Sequence, residues 1–437
     1  MVSSTIHKNS KVAIYGMGLT GCSAALTLKK LGIQIFCWDD DIKIREKVKN
    51  LNFPIKKFWG RKNHIDKVVI SPGIDIRKCK IKNYLNENKK KIITDLDIFF
   101  ALNKKSLIIS ITGTNGKSTT CKIIEKILKE AKYKVKTVGN IGKPILTLNK
   151  KEKKSIIILE VSSYQLQYSK IFRSKHAAIL NISSDHLDRH KNMKNYINVK
   201  SKIFFSQNSS DYSYVNLNNK YSKTIMKILK KKKIKSKIVT INDLSFSLII
   251  KKIKNTYFNN KGNFENVAFA YKIAKNLKIK NEIIIKSLNK FKGLPHRQEV
   301  IFSDKNFLCI NDSKATSFDA SLQSLSNFNK IYWIVGGAPK HKDIFHLKKV
   351  KNKIIKAYIV GKNVEFFKKQ IKESIPFSIS NNIKTAINQI LKDFKHGDQS
   401  KKTILFSPAA ASFDQFNNFE IRGNYFKNLI IKKISNV

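Results

Sequence analysis

The chain has 437 residues, 42% of them hydrophobic, and a formal net charge of +56. This length predicts about three domains with ordinary buried cores. No apolar stretch approaches the ~20 residues that a membrane span requires, and the polar first residues do not resemble a signal peptide. We therefore expect a cytoplasmic protein that does not insert into a membrane.

The positive charge has two interpretations. A strongly basic surface can bind nucleic acid or an anionic membrane surface. The excess is almost entirely lysine, however, spread from end to end among asparagine and isoleucine residues, and these three amino acids share A/T-rich codons. Because no arginine cluster or aromatic stacking motif accompanies it, we favour a compositional bias and expect no nucleic-acid partner.

The cysteines indicate neither a disulfide framework nor a zinc site. They are odd in number and scattered, and none are paired at C-x-x-C spacing; they are Cys22, Cys37, Cys79, Cys121 and Cys309.

The first predicted elements alternate between strands and helices. Short apolar runs at Lys11–Tyr15, Gln34–Trp38 and Lys67–Ile70 are typical of buried strands, and Cys22–Leu31 is helical in character. This alternation predicts a parallel sheet covered by helices.

A glycine-rich loop follows the first strand. Gly16–Gly21 fits the pattern GxGxxG, and Asp39, Asp40 and Asp41 lie about 20 residues further on. Such a loop binds a diphosphate at a helix N-terminus. NAD(P) and UDP both carry a diphosphate, so the pattern by itself leaves both ligands open.

A second glycine-rich loop gives the strongest local signal. Gly113–Ser118 (GTNGKS) lies between the apolar strand Leu107–Ile111 and an amphipathic helix. Backbone N–H groups of such a loop bind phosphate oxygens, Lys117 supplies a positive charge, and the Ser118 hydroxyl can bind Mg²⁺. Ile111 stands where an ordinary P-loop has its first glycine, so this loop is the shorter GTNGKS form.

Further elements follow in the same alternating style. Asn219–Lys237 is lysine-rich and polar, and we interpret it as a surface segment without a site. A third block begins near His296. The remaining predicted strands are Ile156–Leu159, Ala177–Ile182, Lys330–Val335, Ile354–Val360 and Thr403–Phe406, and Ile383–Phe394 is a predicted helix.

Four motifs of the central block together resemble the Mur ligase family. They are Gly113–Ser118, Gly139–Gly142 (GNIG), Glu160–Leu166 (EVSSYQL) and Asn181–His190 (NISSDHLDRH). Each is short, but they share the order and spacing of the family. The resemblance implies an α/β protein of three domains: a Rossmann-like UDP-sugar-binding domain at residues 1–95, a P-loop-like ATPase domain with a mostly parallel sheet at 96–295, and a Rossmann-like amino-acid-binding domain at 296–437.

The resemblance implies ATP and Mg²⁺ as cofactors of the central block. Lys117, His186 and Lys200 would be catalytic. Two Mg²⁺ ions would be bound, with Ser118, Glu160, His186 and a carbamylated Lys200 as ligands. Lys200 is chosen because Tyr196-x-x-x-Lys200 matches the family segment, although Lys202 lies close by. The implied nucleotide-binding residues are Gly113, Thr114, Asn115, Gly116, Lys117, Ser118, Thr119 and Asn266.

The third block resembles the family's C-terminal domain. Arg297, Asp312 and Lys314 lie in motifs whose counterparts contact the nucleotide. Ser407–Gly423 resembles the signature of the members that add D-glutamate. Through these matches Thr316, Lys340, Ser412 and Phe419 are expected to bind the amino acid, and Leu19, Thr20 and Asn140 the acceptor.

We therefore expect an ATP-dependent ligase, acting as a monomer, that joins UDP-N-acetylmuramoyl-L-alanine and D-glutamate through an acyl phosphate during peptidoglycan precursor synthesis. Another Mur ligase or a folylpolyglutamate synthase-like ligase is the nearest alternative. Two alternatives come from other classes of protein. The loop Gly16–Gly21 is compatible with an NAD-dependent oxidoreductase, and the high positive charge is compatible with an ATPase that binds nucleic acid.

Overall fold

The computed structural model describes residues 9–60, 64–140, 143–148, 152–242, 247–258, 261–340, 343–395, 398 and 400–434. The chain divides into two compact units, residues 1–291 and residues 292–437. Among these described residues, the first unit contains two sheets and the second contains one. The last two residues of the predicted GNIG loop, Ile141 and Gly142, lie outside the described residues.

The first sheet is small and fully parallel. Its four strands run in the order β2-β1-β3-β4, and apolar side chains of β1 such as Val12 and Ile14 are buried. The strands are β1 (Lys11–Tyr15), β2 (Gln34–Trp38), β3 (Lys67–Ile70) and β4 (Ile92–Ile93), with helices α1 (Leu19–Lys30), α2 (Ile42–Lys49), α3 (Lys82–Glu87) and α4 (Asp95–Leu102).

The second sheet has six parallel strands in the order β10-β9-β8-β5-β7-β6. They are β5 (Ile108–Thr112), β6 (Val135–Gly139), β7 (Ile156–Glu160), β8 (His176–Ile179), β9 (Tyr212–Asn216) and β10 (Lys237–Ile241). The helices are α5 (Lys117–Glu130), α6 (Ser163–Tyr168), α7 (Leu187–His190), α8 (Met193–Ser201), α9 (Ser222–Lys231), α10 (Ser247–Ile250), α11 (Lys261–Asn276) and α12 (Asn281–Asn289).

The third sheet forms the core of the second unit. Its order is β11-β12-β16-β13-β14-β15, antiparallel between β11 and β12 and parallel elsewhere. The strands are β11 (Glu299–Ser303), β12 (Phe307–Asn311), β13 (Ile331–Gly336), β14 (Ile354–Val360), β15 (Phe377–Asn381) and β16 (Lys402–Phe406), with helices α13 (Phe318–Asn327), α14 (Val364–Ile371), α15 (Ile383–Lys395) and α16 (Phe419–Ile434).

Most predicted elements lie where the sequence indicated, with two differences. The strand expected at Ala177–Ile182 ends at Ile179, because the backbone of the next residues leaves the ladder to contact the 113–118 loop. Asn219–Lys237 lies mostly at the surface, as expected, but the sequence did not indicate a helix there. It contains helix α9, which buries Ile225 and Leu229 and exposes its lysines; these two residues have the i, i+4 spacing of one helix face.

The parallel strands of the second sheet bring distant residues to one edge. In a parallel sheet the carboxyl ends of the strands lie at the same edge, where ligands bind in open α/β folds. Here Ile111 of β5 pairs with Glu160 of β7, and Thr112 pairs with Ile179 of β8. The loops that follow these three strands therefore start side by side.

Within the described ranges, no helix combines the length and apolar character that crossing a membrane would take.

Candidate active site

The glycine-rich loop after β5 adopts a conformation that requires glycine at Gly116. This residue has a φ of 81° and directly precedes α5, and left-handed backbone is costly for residues with a side chain. A Cβ atom at this position would lie 2.2 Å from Oδ1 of Asn266. The same Asn266 oxygen accepts a hydrogen bond from Thr120 Oγ1 at 3.1 Å, so Asn266 fixes the start of α5 against the loop. Thr119, the next predicted residue, is buried.

Asn181, after β8, holds the loop from the other side. Its backbone oxygen accepts from Thr114 N at 3.0 Å. Its side-chain Oδ1 accepts from Asn115 N at 2.8 Å, and its Nδ2 donates to Asn115 O at 3.2 Å. The predicted residues Thr114 and Asn115 thus have fixed backbones, which leaves the loop shaped before any ligand binds.

Lys117 folds back over the loop. Its Nζ donates to the Gly113 carbonyl at 2.9 Å and to the Thr114 carbonyl at 2.7 Å. These are bonds to neutral oxygens, which a phosphate oxygen can replace with a stronger charge-assisted bond.

Glu160 is the last residue of β7, and its buried carboxylate accepts hydrogen bonds from two side chains. Oε2 accepts from Ser118 Oγ at 2.7 Å, and Oε1 accepts from Asn140 Nδ2 at 2.8 Å. Hydroxyl, carboxylate and amide oxygens are the ligands that Mg²⁺ prefers, with several waters retained. The Ser118–Glu160 pair therefore fits a magnesium ion. Across the described part of the chain, no cluster of three or more His, Cys, Asp or Glu side chains is arranged around a common metal position.

Lys200 lies beneath the loop and is 2% exposed. Its Nζ donates to the Gly113 carbonyl at 2.8 Å and lies 3.4 Å from Thr112 Oγ1. Burial, reinforced by the positive charge of Lys117, holds the pKa of the Lys200 amine well below its usual value. Lys202, the other candidate, instead donates to the Gln167 carbonyl at 2.5 Å. The geometry favours Lys200.

His186 lies at the start of α7 in left-handed backbone, with a φ of 54°. Its Nδ1 is 3.0 Å from the Tyr164 hydroxyl, and its Nε2 is 3.4 Å from Asp185 Oδ2. Burial is the main cause that lowers the pKa of the nearby His190 to about 4. Ring contacts run from His186 to Tyr164, from Tyr164 to His190 and from His190 to Tyr196, whose ring centroid lies 4.8 Å from Lys200 Nζ.

The glycine loop of the first sheet is supported by its own acidic residues. Gly16 has a φ of 93°. Asp39 accepts from Met17 N at 2.6 Å, Asp40 accepts from the Tyr15 hydroxyl at 2.6 Å, and Asp41 caps α2 by accepting from Lys43 N at 2.9 Å. All three carboxylates thus have partners inside the domain, which weakens the case that one of them binds a dinucleotide ribose. At the start of α1, Leu19 is exposed and Thr20 is half-buried.

In the second unit, Asp312 is a buried supporting residue. Its Oδ2 accepts from Ser324 Oγ at 2.5 Å and from Ser407 Oγ at 2.8 Å, and its Oδ1 accepts from Gln298 N at 3.2 Å. Burial raises the pKa of Asp312 to about 6. These contacts hold the 312–316 loop in place, while contact with a nucleotide stays a prediction. Arg297 and Thr316, also predicted site residues, are half-buried.

The expected amino-acid-binding residues lie on loops that pair with each other. Ala338 and Ala411 exchange two backbone hydrogen bonds of 2.9 Å, so the loop that carries Lys340 runs beside the loop that carries Ser412. Lys314 Nζ lies 4.5 Å from the centroid of the Phe419 ring. The structure thus brings these predicted residues together in two neighbouring groups.

Arg422 organises these loops, although sequence reasoning assigned it no role of its own. Its Nη2 donates to the carbonyls of Ser313 at 2.8 Å and Ala410 at 2.9 Å, and its Nε donates to Ser313 Oγ at 3.1 Å. Ser313 Oγ in turn donates to the Phe419 carbonyl at 2.9 Å. Its position inside the matched Ser407–Gly423 motif is the sequence signal that could have identified it.

Comparisons with known proteins agree with this geometry. The family model of the Mur ligase middle domain matches residues 111–284. The UDP-N-acetylmuramoylalanine--D-glutamate ligases of Rickettsia felis and Rickettsia bellii are each 36% identical to this chain; both alignments cover 97% of this chain, and they cover 97% and 98% of those proteins, respectively. Among solved structures, MurF ligase from Thermotoga maritima in complex with ADP is similar with a TM-score of 0.54 and 14% identity, covering 85% of this chain and 90% of that one.

Proposed function

This chain belongs to the Mur ligase family, and we propose that it forms the amide bond between UDP-N-acetylmuramoyl-L-alanine and D-glutamate with conversion of ATP to ADP and phosphate. The observation that carries the proposal is the gathering of Lys117, Ser118, Glu160 and Lys200 around one glycine-rich loop. The near full-length similarity to D-glutamate ligases supports the choice of substrates.

The reaction proceeds in two balanced steps. The acceptor carboxylate attacks the γ-phosphorus of ATP, forming an acyl phosphate and releasing ADP. The amine of D-glutamate then attacks the acyl carbon, expels inorganic phosphate, loses a proton and leaves the amide. In the first step negative charge spreads over the γ-phosphoryl oxygens, so the main task of the protein is to position the reactants and stabilise that charge.

Residues of the loop would supply much of that stabilisation. The N-terminus of α5 carries unsatisfied backbone N–H groups and a partial positive charge, which suit the phosphates. Lys117 would exchange its bonds to the Gly113 and Thr114 carbonyls for bonds to phosphate oxygens.

Ser118 and Glu160 would hold one magnesium ion, and His186 with a carbamylated Lys200 a second. When bound, the ions neutralise the developing charge on the transferred phosphoryl group. Burial is the main cause that lowers the pKa of the Lys200 amine, and a lower pKa favours the neutral form, which is the form that adds carbon dioxide. Carbamylation would also place a negative charge near Lys117, an attraction between opposite charges.

The second unit would bind D-glutamate. Lys340 would pair with one carboxylate of the amino acid, Ser412 and the backbone near Phe419 would bind the other, and Thr316 would accept or donate a further hydrogen bond. The acceptor would lie on the Gly16–Gly21 side of the first unit, near Leu19, Thr20 and Asn140. We expect the enzyme to work as a cytoplasmic monomer, as size-exclusion chromatography with light scattering can test.

The decisive experiment is a phosphate-release assay with UDP-N-acetylmuramoyl-L-alanine, ATP and a panel of amino acids, with the product identified by mass. We expect release with D-glutamate and none with L-alanine or diaminopimelate. Release with another amino acid would make the protein a different ligase of the family. ATP hydrolysis that needs nucleic acid and falls steeply with salt, or a nicotinamide-dependent absorbance change without ATP, would contradict the ligase assignment.

A further inference from the structure

Arg189, in helix α7, binds a turn that lies more than a hundred residues earlier in the chain. Its Nη2 donates to the Ile74 carbonyl at 2.5 Å and lies 3.4 Å from the Pro72 carbonyl, and its Nη1 lies 3.4 Å from the Gly73 carbonyl. One buried guanidinium thus faces three consecutive carbonyl oxygens, a pattern that needs the fork of N–H groups of arginine.

Arg77 makes the contact reciprocal. It lies just after the same turn and donates from Nη2 to the Arg189 backbone carbonyl at 2.5 Å. Asp75 fixes the Arg77 side chain by accepting from Nε at 2.9 Å and from Nη2 at 2.6 Å. Two arginines therefore connect the turn after β3 to helix α7 in both directions, which makes the connection rigid.

Ser71, which directly precedes Pro72 of this turn, contacts the glycine loop of the first sheet. Ser71 Oγ donates to the Gly16 carbonyl at 2.5 Å, and Ser71 N donates to the Tyr15 carbonyl at 3.0 Å. A Cβ atom on Gly16 would lie 2.8 Å from the Ser71 Cβ atom. The turn is therefore joined by hydrogen bonds and close packing to the Gly16–Gly21 loop, which is proposed to bind the acceptor diphosphate.

Arg189 also contacts His186 and Tyr164, which lie at the proposed reaction centre. Arg189 N donates to the His186 carbonyl at 3.1 Å, and the guanidinium lies 5.2 Å above the ring of Tyr164. The Tyr164 hydroxyl is 3.0 Å from His186 Nδ1. Arg189 also donates from Nε to Gln167 Oε1 at 2.7 Å, which fixes its orientation.

We infer that Arg189 is a positioning residue that sets the distance between the acceptor-binding glycine loop and the His186 side of the reaction centre. The inference rests on the proposed function, because it takes the ligand of that loop to be the acceptor. The inference predicts that binding and alignment of the acceptor depend on Arg189, whereas binding of ATP does not depend on it. The reason is that Asn181 and Asn266, and not Arg189, hold the 113–118 loop.

The test compares Arg189→Ala and Arg189→Lys with the wild-type full-length enzyme in steady-state kinetics and in calorimetric titration with the acceptor and with ADP. We expect Arg189→Ala to raise the KM and the Kd for the acceptor about 10-fold or more and to lower kcat as well, because small misplacements of a reactant cost about 100-fold in rate. The Kd for ADP should stay within about twofold. Arg189→Lys should be intermediate, because an ammonium cannot reach three carbonyls at once.

Two controls separate positioning from general stability. Arg173→Ala removes an arginine that is bidentate to the buried Asp211, far along the chain from the turn; it should lower Tm without changing the KM for the acceptor. A cavity of about 240 Å³ lies against Arg77, Gln167 and Arg189, so added guanidinium ion can enter the vacated position. We expect guanidinium at millimolar concentration to recover part of the activity of Arg189→Ala and to leave the activity of Arg173→Ala unchanged.

The outcomes are distinct. If the wild-type enzyme forms no product from the acceptor and D-glutamate, the proposed function fails and the inference fails with it. If the wild type is active and Arg189→Ala behaves like Arg173→Ala, with lower Tm and an unchanged KM for the acceptor, the inference alone fails. Equal losses of acceptor and ADP affinity would also overturn it.

Discussion

The candidate sites of the two units are built in different ways. Around the loop at residues 113–118, the expected ligand-binding residues bond to one another, as in the Ser118–Glu160 and Lys200–Gly113 contacts. In the second unit the internal hydrogen bonds belong mainly to Arg422, Ser313 and Asp312, and Lys340 and Ser412 lie on the loops that these residues hold. The first site is organised mainly by bonds among its own ligand-binding residues, with Asn181 holding the loop backbone; the second is organised mainly by residues that were not predicted to bind a ligand directly or, like Asp312, serve as buried supports.

This difference predicts how each site responds to mutation. Where ligand-binding residues support one another, removing one should abolish chemistry with little loss of stability, because the bonds within the site are few and polar. Where a support holds the ligand-binding loops, removing the support should lower stability and substrate affinity together. Substitutions in both units can test whether the contrast holds.

The largest effect is expected for Glu160→Ala. The change removes the proposed magnesium ligand and should lower kcat by about 1000-fold, as for other groups that stabilise charge in the transition state, while Tm changes little. Phosphate release at increasing Mg²⁺ concentration measures it. Glu130→Gln, at a surface carboxylate paired with Lys286, is the control and should keep wild-type activity. A Glu160→Ala enzyme with near-normal turnover would remove Glu160 from the site.

Lys200→Ala should have the next largest effect on turnover, and we expect it to lower kcat by about 100-fold or more. A short-chain carboxylate such as acetate should restore part of the activity, because it supplies the anionic oxygens that a carbamate would provide. The carbamate should also appear as a ¹³C signal when the wild-type protein is equilibrated with ¹³C-labelled bicarbonate. Lys202→Ala, whose amine bonds to Gln167 instead, is the matched control; if it loses activity and Lys200→Ala does not, the wrong lysine was chosen.

Arg422→Lys should have a smaller effect on rate and a larger one on stability. The lysine keeps the charge but cannot satisfy the carbonyls of Ser313 and Ala410 together, and each buried acceptor left without a donor costs about 1–3 kcal/mol. We expect the KM for D-glutamate to rise about 10-fold or more and Tm to fall. Unchanged Tm with lost activity would indicate that Arg422 itself contacts the substrate, and the contrast between the two units would disappear.

The smallest effect on turnover is expected for a buried aspartate in each unit, where the expected change is in the pH dependence of stability. Burial raises the pKa values of Asp95 in the first unit and Asp312 in the second to about 6. For both carboxyl groups, the pKa in the folded protein lies above the pKa in the unfolded chain. The contribution of each group to stability is therefore fully present below about pH 4 and is lost as the pH rises through about 6. A pKa that lies about 2 above that of the unfolded chain corresponds to a loss of about 3 kcal/mol for each carboxyl group.

Urea unfolding between pH 4 and pH 7 measures this contribution. Asp312→Asn and Asp95→Asn should each reduce the fall in the free energy of unfolding over that range. Asp398→Asn, at an exposed carboxylate with a lowered pKa, should not reduce it. A pH dependence identical to the wild type in both buried variants would show that neither group titrates in this range.

Much of the first-unit site could be predicted because its signals are local. The GTNGKS sequence, the strand before it and the helix after it are contiguous, and parallel pairing brings Glu160 of β7 beside Ile111 of β5. Helix α9 was not predicted, because the abundant lysine of this surface region masked the i, i+4 spacing of Ile225 and Leu229. The choice between Lys200 and Lys202 rested on family resemblance and stays a prediction; the Lys200 amine bonds to the Gly113 carbonyl of the loop, whereas the Lys202 amine bonds to the Gln167 carbonyl.

The α/β class, the strands and the two glycine-rich loops could be read from the amino-acid order, because backbone preferences and side-chain periodicity act over a few residues. Most of the candidate ligands came from the resemblance to the Mur ligases instead. The supports that hold these parts became visible only in the folded chain. Arg189 meets Ile74 across 115 positions, and Arg422 meets Ser313 across 109. Which carbonyl a buried guanidinium satisfies depends on how distant segments pack, and no local pattern carries that information.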